Sequence, residues 1–175
     1  MKKVIIYGSN YGTTKAYALK LSEMTDVPVV NYEDVKDLSG YDVVIHLGGL
    51  YAGGVKGLKN TVKLLPDKAK FIIVTVGLAD VSNKENTDHI KKTIGMQVPK
   101  TILESAQVLH LRGGIDYSKL SFMHKTMMSL VYKKAKSTPE EQMTPELRDM
   151  IDTYGKVVDF VDFESLGQVV EAMTQ

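Results

Sequence analysis

The sequence predicts an α/β fold in which helices cover both faces of a five-stranded parallel sheet. Short, continuous apolar runs alternate with longer segments in which apolar residues recur at helical spacing. A continuous apolar run is typical of a strand covered on both faces, and the alternation is typical of strand–helix–strand units. The 175 residues contain no Pro/Gly/Ser-rich linker and no internal repeat. We therefore expect one domain spanning residues 1–175.

Five apolar runs are the predicted strands. The first, "VIIY", leads directly into a loop that contains Gly and Ser, and the third and fourth runs also end at glycines. The second contains Pro28, which lacks a backbone N–H and therefore belongs at the start of a strand or on a sheet edge. The predicted strands cover residues 4–7, 27–32, 41–48, 70–77 and 106–112.

The segments between and after these runs are predicted helices. In the sixth, Thr144, Pro145 and Gly155 are residue types preferred at the N-cap, at the first position and just past the end. The first helix has an apolar stripe for burial, formed by Ala16, Ala18, Leu19 and Leu21. The predicted helices cover residues 13–24, 57–65, 84–94, 100–105, 120–135, 145–154 and 163–173, and residues 157–162 are left unassigned.

The composition excludes several kinds of site. The chain has no cysteine, so disulfides, thiolate metal ligands and thiol catalysis are excluded. The 22 basic and 21 acidic residues give a net charge of +1, which argues against a nucleic-acid partner. No apolar stretch reaches the ~18 residues of a membrane span, and the N-terminus does not resemble a signal peptide, so we expect a cytoplasmic protein. The four histidines lack metal-ligand spacing, and we predict no metal site; His46 and His110 are predicted core residues, and His89 and His124 are predicted to lie at the surface.

The loop between the first strand and the first helix has the composition of a phosphate site. Ligands of parallel sheets bind beyond the carboxyl ends of the strands, and a helix start presents unpaired N–H groups and a partial positive charge. The loop adds three hydroxyls, an amide and a glycine that permits close approach of the backbone. It matches neither G-x-G-x-x-G nor the P-loop pattern, and an ordinary N-cap by Ser9 or Asn10 is the alternative. The candidate residues are Ser9, Asn10, Tyr11, Gly12, Thr13 and Thr14.

The segment "YGSNYGTTKAYA" resembles the mononucleotide phosphate loop of flavodoxins, S/T-x-T-G-x-T. Ser9, Gly12 and Thr14 match that pattern, whereas Tyr11 stands where many flavodoxins carry Thr. The resemblance implies a flavodoxin-like three-layer sandwich with strand order 2-1-3-4-5 and a non-covalently bound FMN. The loop would then bind the FMN phosphate.

Two further loops are similar to the flavin-ring loops of flavodoxins. In "GGLYAGG" the resemblance implies that Tyr51 stacks on the ring, and the alternative is a flexible glycine-rich connection with Tyr51 as a surface plug. Lys56 is expected near the reduced ring, where its charge would raise the redox potential above that of an acidic flavodoxin. The implied ring-binding residues are Gly49, Leu50, Tyr51, Ala52 and Gly53 in the first loop and Gly77, Leu78 and Ala79 in the second.

The last third of the chain resembles a narrower group, the flavodoxin-domain proteins related to menaquinone-dependent protoporphyrinogen oxidase. A G-G-x-x-Y segment, Gly113 to Tyr117, leads into an insert at about residues 113–139, and a D-F-E triplet at residues 162–164 begins the last helix. The main hypothesis is an FMN-dependent electron-transfer protein. The alternatives are a protoporphyrinogen oxidase-like or quinone-reducing flavoenzyme and a flavin-free binding protein that keeps the fold. An enzyme needs a pocket over the flavin, whereas a carrier needs only an exposed flavin edge.

The long helix of this insert is basic. No acidic residue lies between Tyr117 and Pro139, whereas lysines recur from Lys119 to Lys136. This pattern indicates either peripheral contact with the anionic inner face of a membrane or a core helix with a solvated lysine face. We expect a redox partner protein or a quinone as the electron-transfer partner. The apolar stripe is predicted from Leu120, Met123, Met127, Leu130 and Val131, with Phe122, Met128 and Tyr132 outside it.

Overall fold

The computed structural model describes residues 1–51, 54–143 and 145–175. Its central sheet contains five parallel strands in the order β2-β1-β3-β5-β6, with the short β4 paired antiparallel to β3. Because β4 is an addition in the middle of the chain, this order is the predicted 2-1-3-4-5, and the prediction is confirmed. The strands are β1 Lys3–Gly8, β2 Val29–Asn31, β3 Val43–Tyr51, β4 Gly54–Val55, β5 Lys70–Gly77 and β6 Gln107–Arg112.

The register brings the carboxyl ends of the central strands together. Gly8 of β1 lies beside Gly48 of β3, which lies beside Thr75 of β5, and Gly77 lies beside Arg112. The loops that follow β1, β3, β5 and β6 therefore meet at one edge of the sheet.

Helices cover the sheet in two layers, and each layer has its own apolar core. One contains Tyr17, Leu21 and Val169 of the covering helices, and the other contains Leu58 and Ile90. The first layer is formed by α1 Thr13–Thr25 and α7 Gly167–Thr174, and the second by α2 Leu58–Leu64, α3 Lys84–Gly95 and α4 Lys100–Ser105.

The buried stripe of α1 differs from the prediction. Leu19 is half-exposed, and Tyr17 is fully buried. The hydroxyl of Tyr17 donates to the carbonyl of Arg112 at 2.8 Å and accepts from the backbone N–H of Asp162 at 2.9 Å. A tyrosine can occupy this core position because both of its hydrogen-bonding roles are satisfied there.

Two lysines of the sheet bind the end of α7. The Lys70 ammonium donates to the carbonyl of Ala172 at 2.6 Å, and the Lys3 ammonium donates to the carbonyl of Met173 at 2.7 Å. The last carbonyls of a helix lack partners within the helix and carry a partial negative charge, so these contacts stabilise the C-terminus of α7. The predicted last helix is divided, because a 3₁₀ turn, Phe163–Leu166, precedes α7.

The insert after β6 is longer than predicted, and its two ends pair with each other. The strand β7 Gly114–Asp116 pairs antiparallel with β8 Val157–Asp159, so the segment between them begins and ends at the same place. Between these strands lie α5 Phe122–Lys136 and α6 Pro145–Thr153. Ser121 caps α5 by accepting from the N–H of His124 at 3.3 Å. The predicted cap Thr144 lies outside the described residues.

The buried face of α5 is only partly the predicted one. Met127 and Val131 are half-buried, but Met123 and Leu130 are 77% and 63% exposed, and Phe122 is 87% exposed. The helix therefore has one face toward the protein and a second set of apolar side chains toward solvent. Within the described residues, no helix is both long enough and apolar enough to cross a membrane.

Candidate functional site

A cavity of about 650 Å³ lies at the carboxyl edge of the sheet. Its walls come from the loops after β1, β3 and β5, from α3 and the residues that follow it, and from the insert. Its size falls within the roughly 300–1,000 Å³ of small-molecule sites. Lining residues from the sheet loops include Tyr11, Thr13, Thr14, Gly49, Leu50, Tyr51, Gly77 and Leu78, and those from the insert include Tyr117, Leu120, His124, Met127, Met128, Val131, Asp149 and Met150.

The loop after β1 leaves the start of α1 without a side-chain cap. Gly12 is the N-cap residue, in a left-handed conformation with φ 95°, which favours glycine. Ser9 does not cap the helix; its Oγ accepts from the N–H of Gly12 at 3.0 Å and thereby shapes the loop. The proposed N-cap by Ser9 or Asn10 is therefore wrong. With no acidic residue in the first turn of α1, this helix start is suited to an external anion.

Tyr51 connects the loop after β3 to the loop after β1. Its hydroxyl accepts from the backbone N–H of Asn10 at 3.0 Å. Its ring lies over Gly49, where a Cβ would come within 2.8 Å of ring atoms, so a larger residue there would displace the ring. Burial raises the pKa of the Tyr51 phenol above its ordinary value. Tyr51 is thus a wall of the cavity rather than a surface plug.

The short strand β4, which pairs with the end of β3, is held in place by Gln97. The Gln97 side-chain oxygen accepts from the N–H of Val55 at 2.7 Å, and its amide donates to the Val55 carbonyl at 3.2 Å. Gln97 also lines the cavity. The end of α3 therefore determines the position of one cavity wall.

The loop after β5 is fixed by its own polar groups and by β6. Asp80 accepts from the N–H and hydroxyl of Ser82, which holds the pKa of that carboxyl below its usual value. Arg112 donates to the carbonyl of Leu78 at 3.0 Å, and its guanidinium stacks on the ring of Phe160 at 3.7 Å. Asp80 therefore acts as a turn residue, and Leu78 remains in the cavity wall.

The lysine predicted beside the ring lies elsewhere. The Lys56 ammonium is 5.8 Å from the centroid of the Tyr32 ring, and Lys56 does not line the cavity. The predicted effect of its charge on a bound flavin therefore loses its geometric basis. Lys59, one turn further on, does line the cavity.

The insert forms a roof over the cavity. Tyr117 packs edge-on against Tyr154 with ring centroids 5.2 Å apart, and Tyr154 stacks on Tyr132 of α5 at 4.0 Å. The N–H of Asp80 also donates to the carboxylate of Asp149 on α6 at 3.4 Å. These contacts fix α5 and α6 relative to each other and to the sheet loops.

Two histidines predicted at the surface line this cavity. They are His89 of α3 and His124 of α5. The hydroxyl of Tyr11 is hydrogen-bonded to Nδ1 of His124, and the two rings meet edge-on at 5.5 Å. The sequence did not indicate this because the two residues are 113 positions apart.

His46 is the predicted core histidine, and it is fully buried. Its Nδ1 is 2.8 Å from the hydroxyl of Thr61, and its Nε2 is 2.9 Å from the carbonyl of Lys56. Burial lowers the pKa of His46 to about 4, so the ring is neutral at pH 7. His110 is partly buried beside Thr75, at 2.7 Å, and burial lowers its pKa as well. Among the described residues, no three His, Cys, Asp or Glu side chains form a cluster suited to a metal ion.

The structure brings most of the predicted site residues to one cavity. Eight of them line it: Tyr11, Thr13, Thr14, Gly49, Leu50, Tyr51, Gly77 and Leu78. Ser9, Asn10 and Gly12 belong to the same loop but do not line the cavity, and Ala79 is buried behind its wall. Ala52 and Gly53 lie outside the described residues. Tyr117 and His124 were missed as site residues, although the G-G-x-x-Y segment that ends at Tyr117 was a signal.

The known structures that are similar to this chain have low sequence identity to it. No curated protein sequence matches the chain. A flavodoxin from the domain Archaea is 17% identical, with 65% of this chain and 85% of that one covered and a TM-score of 0.40. A flavoprotein in complex with FMN from Lactobacillus acidophilus NCFM is 13% identical, with coverage of 63% and 91% and a TM-score of 0.40. A Fusobacterium nucleatum flavodoxin mutant bound to flavin mononucleotide is 16% identical, with coverage of 70% and 74% and a TM-score of 0.41.

These similarities to solved structures are weak, and the assignment of a family depends on the sequence. The flavodoxin domain family matches residues 4–142, from the first strand to beyond α5. Because the match covers most of the 175 residues, the chain belongs to the flavodoxin domain family.

Proposed function

We propose that this protein binds FMN in the cavity and transfers electrons through it. The observation that carries the proposal is that the loops after β1, β3 and β5 line a single cavity. In the family to which the chain belongs, these are the loops expected to bind the phosphate and the two edges of a flavin. Bound FMN would supply the redox chemistry, and the protein would bind, orient and shield it.

The residues of the first loop suit the phosphate. The first turn of α1 has neither a side-chain cap nor an acidic residue, so its backbone N–H groups can donate to an anion. Thr13 and Thr14 line the adjoining wall and add two hydroxyls. Tyr11 departs from the family pattern but leaves the backbone donors in place.

The walls beyond this loop suit the ring. Leu50 and Leu78 are apolar lining residues on neighbouring loops, and Gly49 and Gly77 contribute to the same walls. The ring of Tyr51 stands in the same wall, between the phosphate loop and the end of β3. A flat, amphipathic ring needs such a combination of apolar contact and accessible backbone polar groups.

A second function is favoured by the roof. A carrier needs an exposed flavin edge, but here α5 and α6 line the cavity opposite the sheet loops. This arrangement supports a flavoenzyme that oxidises a substrate beneath the roof and passes electrons to an acceptor. With the sequence resemblance, it points to a protoporphyrinogen oxidase-like or quinone-reducing activity.

FMN titration of the purified protein, followed by absorption and fluorescence, tests the primary proposal. Thr14→Val preserves shape and removes a hydroxyl, and we expect it to weaken FMN binding by about tenfold or more, since one hydrogen bond to a charged group contributes roughly 1.5–3 kcal/mol. Ser9→Ala should also weaken binding by releasing Gly12. The matched control is Thr25→Val at the other end of α1, where the hydroxyl bonds the Leu21 carbonyl. If the unmodified protein does not bind FMN, the primary proposal is refuted, and a flavin-free binding protein that keeps the fold is the remaining alternative.

The second function has its own assay. Oxidation of protoporphyrinogen by the FMN-loaded protein, with a menaquinone analogue as electron acceptor, should be compared with reduction of a small one-electron acceptor. Turnover only with the small acceptor would identify a carrier. Saturable turnover with protoporphyrinogen would identify the enzyme.

A further inference from the structure

We propose that the part of the cavity beneath the insert is a second ligand site, which takes a neutral, largely apolar molecule bearing a hydrogen-bond acceptor and recognises it through Tyr117 and His124. This inference deepens the proposed function, on which it rests, because it names the class of molecule that would meet the redox centre. The two residues belong to the segment between β6 and α6 and line the cavity on its roof side.

The roof is apolar and adaptable. Of the nine methionines of the chain, three line the cavity from the insert, Met127, Met128 and Met150, and Met96 lines it from the end of α3. Leu120 and Val131 complete the wall formed by the insert near α5. Methionine is flexible and polarizable, and it makes favourable contacts with aromatic rings, so such a wall suits apolar ligands of more than one shape.

Tyr117 supplies a polar group that lacks a partner. The residue is 8% exposed, and among the described residues its buried hydroxyl has no hydrogen-bond partner. A buried polar group without a partner is destabilising, so a ligand that displaced the flexible roof side chains covering this hydroxyl and accepted from it would relieve that penalty. Burial raises the pKa of the phenol, which therefore retains its proton and can donate. Tyr154 packs against the ring and restricts its movement.

His124 supplies a second donor. Its Nδ1 lies beside two hydroxyls, those of Tyr11 and of Ser121, the latter at 3.0 Å. In the tautomer in which Nδ1 accepts from one of these hydroxyls, the ring hydrogen lies on Nε2, where it can donate to a ligand. Tyr11 is therefore a positioning residue for His124. A threonine, which many flavodoxins have at this position, is too short to reach α5.

The charges around the roof favour a neutral ligand. Among the described lining residues, the carboxylate of Asp149 and the ammonium of Lys59 are of opposite sign. Asp149 also accepts from the backbone N–H of Asp80. The charges of Asp149 and Lys59 cancel, so recognition of a ligand depends on apolar contact and on the two hydrogen-bond donors, Tyr117 and His124.

Two probes of similar size separate the contribution of apolar contact to binding from the contribution of hydrogen bonding. Coumarin has a carbonyl acceptor, and naphthalene has none. Protein labelled with ¹³C at the methionine methyl groups is titrated with each probe, with and without saturating FMN. We expect the methyl signals of Met127, Met128 and Met150 to shift while those of Met24 and Met173, outside the cavity, do not. Coumarin should bind about ten- to a hundredfold more tightly than naphthalene, as two hydrogen bonds predict.

Variants then test the donors. Tyr117→Phe and His124→Leu should each reduce the preference for coumarin about three- to tenfold and leave naphthalene binding in place, which excludes collapse of the cavity. Tyr132→Phe, outside the cavity lining, is the matched control and should retain the preference. An unchanged preference in Tyr117→Phe and His124→Leu would overturn the proposal, as would displacement of both probes by FMN, because the roof would then belong to the flavin alone. Probe binding without FMN binding would refute the primary function and support this site.

Discussion

Acidification should destabilise this protein chiefly through one fully buried side chain, His46. The neutral ring makes two hydrogen bonds that suit one tautomer: Nε2–H donates to the carbonyl of Lys56, and Nδ1 accepts from the hydroxyl of Thr61. The side chain is fully buried, so a positive charge there would lose its hydration. Burial accordingly lowers the pKa of His46 from 6.5 to about 4.

The sign and the size of the effect follow from this pKa. Between pH 6.5 and pH 4 the unfolded chain binds a proton at His46 and the folded chain does not, so the free energy of unfolding falls as the pH falls. Each pKa unit corresponds to about 1.36 kcal/mol, which gives a loss of about 2 kcal/mol at pH 5 and about 3 kcal/mol below pH 4. Carboxylates with lowered pKa values, such as Asp80, lose their contribution only near and below 3.8. Between pH 7 and pH 5, therefore, the change in the free energy of unfolding comes from the histidines and not from these carboxylates.

Urea unfolding at half-unit steps of pH between 7 and 5 measures this loss. His46→Gln should be less stable than the unmodified protein at pH 7, and its free energy of unfolding should depend much less steeply on pH in this window, with the remaining slope due to His110. His110→Gln is the control, because the pKa of His110 is also lowered by burial but the residue is only partly buried. The reasoning would be refuted by equal slopes for His46→Gln and the unmodified protein.

Three further changes test other parts of the structure. Lys70→Met should lower the free energy of unfolding by about 1 kcal/mol or more, because the last turn of α7 loses a charged donor; thermal unfolding measures it. Gln97→Leu should release both polar groups of Val55, and FMN affinity should fall more than global stability if β4 forms a cavity wall. Leu130→Ser on the exposed, basic face of α5 should reduce co-sedimentation with phosphatidylserine-containing vesicles at low salt, whereas Leu19→Ser on α1 should not; absence of binding by the unmodified protein would rule out membrane contact.

The sheet was predictable because its signals are local. Each strand is a continuous apolar run, and each crossover helix has its own periodicity, so element order and strand order follow without knowledge of distant contacts. The three loops could likewise be named in advance, because parallel strands place their carboxyl ends at one edge. Strand boundaries differ from the predicted ones by at most three residues; β5 coincides with its prediction, whereas in β2 Val27 and Tyr32 lie outside Val29–Asn31.

The insert was less predictable because its structure depends on distant pairing. The strands β7 and β8 have three residues each and are separated by two helices, so neither has a strong pattern of its own. The burial of α5 depends on which of its faces meets the cavity, and its sequence has more apolar residues than one face can bury. Met123 and Met127 are equivalent in periodicity, and only the three-dimensional position of the roof separates the exposed residue from the half-buried one.

Tyr11 shows why a departure from a family pattern needs its spatial partner to be interpreted. In the sequence, a tyrosine in place of threonine suggests a missing phosphate contact and weakens the case for a cofactor. In the structure, the same hydroxyl reaches His124, 113 residues away, while the backbone of the loop keeps Gly12 at positive φ and α1 without a side-chain cap. Tyr11 therefore connects the loop after β1 to the roof, and a ligand that orders one should order the other. On this argument, Tyr11→Thr should preserve the phosphate donors and impair the roof site selectively.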